Sequence, residues 1–125
     1  MDKNELQKRT KRFALEVIRF VLSLRKGMLT DVLGKQLIRC ATSIGANYRS
    51  ACRARSYADF IAKIAIVTEE ADEAIYWLEL IKESGLTGNT AIEPLVDEAD
   101  ELTAIFTSTG KTAKLNKSKI LHPKS

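Results

Sequence analysis

The stretch QLIRCATSIGANYRSACRARSYADFIAKIAIVTEEADEAIYWLEL, from Gln36 to Leu80, decides the fold because it holds two helical periods with a restart between them. In its first part Leu37, Cys40, Ile44 and Ala51 recur at steps of three, four and seven, which is one face of a helix. Ser56 and Asp59 then form a near capping box, with Asp where Glu or Gln is usual. Behind it Phe60, Ile64, Val67, Ala71, Ile75 and Leu78 alternate steps of four and three, predicting a helix from Tyr57 to about Glu83.

Upstream, the helix containing Gln36 reaches back through Leu33 to Asp31, with Thr30 as N-cap, and runs on to about Ala54. Gly34 and Gly45 cost it about 1 kcal/mol each relative to alanine. The small surface of Ala41, Gly45 and Ala46 gives the reason, a neighbouring helix at close range. A first helix from about Glu5 to Lys26 places Leu6, Phe13, Val17, Phe20 and Leu24 on one stripe, with Gly27 as a left-handed stop. Downstream, Gly85 and Gly88 turn the chain and Thr90 with Glu93 makes a capping box. Pro94 is tolerable in the first turn, and Ile92, Leu95, Val96, Ala99, Leu102, Ile105 and Phe106 give a fourth core stripe ending near Thr109 or Gly110. Short connections make neighbouring helices antiparallel. The expected fold is therefore all-α, an antiparallel up-down four-helix bundle over residues 1–110, with a flexible lysine-rich tail over 111–125.

Composition agrees: 45% hydrophobic but only 6% aromatic residues favour helices over sheets. A chain of 125 residues can bury roughly two thirds of its unfolded surface and needs no disulfide or metal staple. Cys40 and Cys52 are twelve residues apart on one helix, about 18 Å along its axis, and cannot bridge each other. No secretion signal and no run of the ~20 apolar residues that span a bilayer is present, so the expectation is a cytoplasmic protein with no membrane association.

Function classes fall away in turn. Glu69, Glu70, Asp72, Glu73, Glu98 and Glu101 lack the Glu-x-x-His pattern of di-metal bundles, and the single histidine, His122, lies in the tail. Cys40 reads as a small hydrophobe on the core stripe. Cys52, near Arg49, Arg53 and Arg55, has no histidine to make it a nucleophile. No phosphate loop or serine elbow occurs. The expectation is no catalytic residue, no metal and no cofactor.

Charge is more informative. Residues 1–56 hold 13 Lys and Arg against 4 Asp and Glu, residues 57–110 hold 2 against 12, and residues 111–125 hold 5 against none. Lys35, Arg39, Arg49 and Arg53 fall on one line of the second helix, and Lys8, Arg12, Arg19 and Lys26 on the first. Such ridges suit a phosphate backbone. They equally suit pairing with the acidic line Asp72, Tyr76, Glu79 and Glu83, or with Glu93, Asp97, Asp100 and Glu101, and the sequence leaves both readings standing. Asn47, at a core step, is expected to be buried and to fix helix register or bond a neighbouring backbone. Trp77 is expected to pack within the bundle.

The Gln36–Leu80 stretch also resembles the four-helix-bundle family of 23S rRNA intervening-sequence proteins, also labelled S23 ribosomal protein. The resemblance is carried by TSIGAN at Thr42–Asn47, RARS at Arg53–Ser56, DFI at Asp59–Ile61 and EADEAIYWLEL at Glu70–Leu80. It implies a helical bundle assembling into a homopentameric ring and a relationship to the accessory protein of diversity-generating retroelements, which binds RNA and a reverse transcriptase. It implies no enzyme activity. Together these readings give an expected non-catalytic oligomeric scaffold that binds nucleic acid, structured RNA foremost, through Lys8, Arg12, Arg19, Lys35, Arg39, Arg49 and Arg53. The alternative is a protein–protein adaptor whose charged faces serve subunit or partner contacts.

Overall fold

The computed structural model describes residues 1–121. Four helices follow one another, α1 (Lys3–Ser23), α2 (Met28–Ala51), α3 (Tyr57–Glu83) and α4 (Asn89–Leu121). Each packs on its sequence neighbours, and α4 closes the ring against α1, the sparsest of the four seams. This is the antiparallel all-α bundle expected from the hydrophobic periods.

The core stripes fall where the steps of three and four put them. Leu6, Phe13, Val17 and Phe20 of α1 meet Leu33, Leu37, Cys40 and Ile44 of α2, Ile64, Val67, Ala71 and Leu78 of α3, and Ile92, Leu102 and Phe106 of α4 in one buried cluster. Phe60 and Ile75 are half-buried at its margin, and so is Trp77. Thr10 is buried but satisfied, its hydroxyl donating to the carbonyls of Leu6 and Gln7 at 3.0 Å. Among the described residues no helix is long and apolar enough to cross a membrane.

Helix ends test the capping arguments. α3 spans the expected residues because Ser56 Oγ accepts from Asp59 N at 3.1 Å, while Asp59 Oδ2 accepts from Arg55 N at 3.3 Å. α1 ends at Ser23, before Gly27, and Gly27 instead precedes α2 with a nearly extended φ of 159°. Thr30 is not an N-cap. It lies inside the first turn of α2, and its hydroxyl donates back to Arg25 O at 2.6 Å. Left-handed backbone appears at Gly85, φ 80°, in the α3–α4 turn.

The expected flexible tail is corrected over most of its length, since α4 continues through Gly110 to Leu121. Lys, Ala and Leu between 111 and 121 are good helix formers, no proline intervenes, and the Ala113 side chain is buried. One glycine costs about 1 kcal/mol, too little to stop a helix that still has a partner to pack on. A methyl at Gly110 would lie 3.5 Å from Ile64 Cγ2, so α3 is that partner. Lysines in the last turns also suit the negative end of the helix dipole. Residues 122–125 of the expected tail, with His122, lie outside the described residues.

Candidate nucleic-acid interface

The bundle sorts the charged side chains that the sequence placed on ridges. Arg39 leaves the proposed ridge: its guanidinium donates to Glu70 Oε2 at 3.2 Å and also binds Glu73 Oε2, both on α3. Arg9 spans the α1–α4 seam in the same way, donating through Nε and Nη2 to the Glu98 carboxylate at 2.7 Å and also reaching Glu101. Lys82 holds Glu93 across the α3–α4 turn. These cations are consumed within the subunit, but of the ridge residues only Arg39 is among them, and it is met by Glu70 and Glu73 rather than by either acidic line that the sequence offered. Arg12 lies in the α1–α4 cleft beside Glu16 and Glu98. Arg19 and Lys35 are exposed elsewhere on α1 and α2.

Three of the seven expected residues come together. Lys8, Arg49 and Arg53 line a groove of about 420 Å³ between α1 and α2, with Lys11 beside Lys8 and with Gly45 and Ala46 in its lining. On the other side of α2 a second groove of about 690 Å³ is lined by Arg49, Arg53, Arg55, Asp59 and Lys63. Arg49, in the last turn of α2, and Arg53, in the turn that follows that helix, are common to both. Six cations thus share two adjoining grooves with one carboxylate. Lys63 Nζ donates to that Asp59 at 3.0 Å, and this bond, with the Arg55 N–H, holds the carboxyl below its ordinary range. Among the described residues the side chains of Lys8, Lys11, Arg49, Arg53 and Arg55 enter no ion pair, and all five are exposed.

Sequence reasoning missed Lys11, Arg55 and Lys63. Lys11 is three residues from Lys8 and neighbours it on one face of α1, a spacing that could have found it. Arg55 and Lys63 straddle the α2–α3 connection, and Lys63 belongs to the half that reads as acidic.

Asn47 bonds a neighbouring backbone as expected but is less buried than its core step suggested. It is half-buried, not core, and its amide donates to Ser43 O at 2.9 Å and Ser43 Oγ at 3.0 Å, one turn back on its own helix. It ties no second helix, because an asparagine within a helix reaches the carbonyl four residues back most readily.

Cys40, Glu70 and Glu73 bring three possible metal-ligand atoms within 4.8 Å of one another. Cys40 Sγ donates to Glu73 Oε2 at 2.6 Å, and Arg39 Nη2 reaches Cys40 Sγ at 3.3 Å. Arg39 therefore already supplies the positive charge that a cation would bring. Burial, and next the bond to Glu73, pushes the Cys40 thiol up, so it stays a neutral donor. Glu73 is held below its ordinary range first by that thiol and then by Arg39. The buried Trp77 Nε1 helps hold the Glu73 charge without closing a hydrogen bond.

A family model described as "23S rRNA-intervening sequence protein" matches residues 2–108. Among solved structures, a protein of unknown function from the S23 ribosomal protein family of Bacteroides thetaiotaomicron is similar, with 33% identity and a TM-score of 0.80. The match covers 89% of this chain and 99% of that one. No curated protein matches.

Proposed function

Because the chain belongs to the 23S rRNA-intervening sequence protein family, we propose that it is a non-catalytic, cytoplasmic, oligomeric scaffold that binds nucleic acid, structured RNA foremost, on the basic surface centred on Arg49 and Arg53. The observation that carries this reading is the pair of adjoining grooves in which Lys8, Lys11, Arg49, Arg53, Arg55 and Lys63 face a single carboxylate. Unpaired arginines and lysines kept at close quarters repel one another. A phosphate backbone relieves that repulsion, and the cations condensed on the nucleic acid are released to solvent as it binds, which favours the complex.

A second reading, the protein–protein adaptor, is favoured by a different observation. Leu22, Met28 and Val32 are 79%, 82% and 55% exposed at the other end of α1 and α2, an apolar area suited to a protein contact. Opposite charge on the α1–α2 and α3–α4 sides also suits a head-to-tail contact between copies, and a pentameric ring is the assembly we expect. The intact oligomer, sized by light scattering, should be retained on immobilised structured RNA and released as salt rises. Retention that ignores salt would favour the adaptor, and a monomer at tens of micromolar would remove the ring.

A further inference from the structure

We propose that the basic surface ends in a pocket for one unstacked nucleobase, built by Tyr57, Phe60, Tyr48 and Cys52 where the start of α1, the end of α2 and the start of α3 meet. The inference rests on the nucleic-acid reading above and adds a second kind of contact to it. The pocket is an open hollow of about 650 Å³, shaped for a base to lie against rather than be enclosed. Arg55 lines both this hollow and the groove along Arg49 and Arg53, so the two are neighbours.

Of its three rings Tyr48 belongs to the buried core and Phe60 packs at the core's margin, so Tyr57 is the one that offers an exposed face. Tyr57 opens α3 and is 44% exposed, and Phe60, one turn on, is half-buried, whereas the fully buried stripe of α3 begins only at Ile64. Tyr48 is fixed from behind by Phe106, whose ring centroid lies 5.2 Å away. Burial, and then Cys52, pushes the Tyr48 hydroxyl up, leaving it a neutral donor. Lys3 and Arg55 also line the hollow, and no Asp or Glu does. Asp2, which acts on Tyr48 through its charge, is engaged as the α1 N-cap, accepting from Glu5 N at 2.8 Å.

Aromatic surface between cations selects an occupant that carries both a planar ring and negative charge. An apolar peptide side chain would use the rings and waste the cations. A duplex would use the cations, but its bases are stacked and cannot enter. An unpaired nucleotide of a strand whose phosphates lie along Arg49, Arg53 and Arg55 uses both.

The test measures binding of the intact protein to a short labelled oligouridine and to the same chain with abasic linkers in place of its central nucleotides. Wild type should prefer the base-bearing chain by about 5- to 100-fold, and Tyr57→Leu should reduce that preference to under about twofold while leaving the salt dependence intact. Tyr57→Trp should keep the preference, and in a Trp77→Phe background its indole emission should be quenched by the base-bearing chain alone. Circular dichroism melts check that each variant is folded. Equal, salt-sensitive binding of both chains by wild type would overturn the pocket and leave the basic surface standing. Binding of neither chain at about 50 mM salt would overturn both.

Discussion

Gly34→Ala tests the packing of α1 on α2 through one methyl group. A Cβ at Gly34 would lie 2.7 Å from Val21 Cγ1, a distance real Cβ atoms do not show. Val21 is half-buried against the core, and its β-branched side chain has one favoured rotamer in a helix, so it cannot swing aside cheaply. Overpacking of this kind costs about 1–3 kcal/mol, and replacing a mid-helix glycine returns about 1 kcal/mol, leaving a net loss of about 0–2 kcal/mol. Gly45→Ala is the internal control. Its new methyl would meet Thr10 Oγ1 at 3.4 Å, an ordinary contact, so the helical gain of about 0.5–1 kcal/mol should survive. The two variants should therefore differ by about 1–3 kcal/mol, read as melting temperatures at one protein concentration. Adding Val21→Ala to Gly34→Ala should recover part of the loss as a favourable coupling. A Gly34→Ala protein stabilised as much as Gly45→Ala would refute the argument.

Other consequences follow from the same contacts. Cys40 has its pKa raised above the ordinary 9.0, so the folded state holds a proton that the unfolded state releases; stability should fall as pH rises above about 9, and Cys40→Val should flatten that fall in a series of melts. Tyr48 acts in the same direction above its ordinary 10.0. Glu73 and Asp59 are held low and act in the opposite sense, their stabilisation being lost as pH drops through the carboxylate range. Arg39→Ala should lower the melting temperature and leave nucleic-acid affinity nearly unchanged, whereas Arg49→Ala should do the reverse; the two assays on both variants decide it. Truncation after Gly110 should lower the melting temperature, because it removes the buried Ala113 and about three turns of α4; an unchanged melt would restore the loose tail.

The core was legible because steps of three and four residues need no knowledge of neighbours, as Phe13, Leu37, Val67 and Leu102 show. The start of α3 was legible because Ser56 and Asp59 satisfy its first turn locally. The end of α4 was not, since a glycine signals a stop only where no partner helix continues alongside. Thr30 shows the ambiguity of a hydroxyl, which can cap the helix ahead or bond the carbonyl behind. Arg39 was misplaced by geometry: each four-residue step turns a helix about 40° past a full circle, which carries Arg39 from the line of Lys35 towards α3. The two grooves were only half legible: Lys11 could have been read from its i+3 step to Lys8, whereas Arg55 and Lys63 join Arg49 and Arg53 through the α2–α3 connection and helix pairing and not through spacing along one helix.

The central claim is that the surface around Arg49 and Arg53 binds phosphates. The most direct measurement is the salt dependence of RNA affinity for the intact oligomer and for an Arg49→Ala, Arg53→Ala double variant. With the five unpaired groove cations engaged, log K against log salt should have a slope of about −3.5 to −4.5, and the double variant should be shallower by about 1.4–1.8 with its fold and oligomer size unchanged. An unchanged slope in the double variant, or no binding by wild type at about 50 mM salt, would contradict the account.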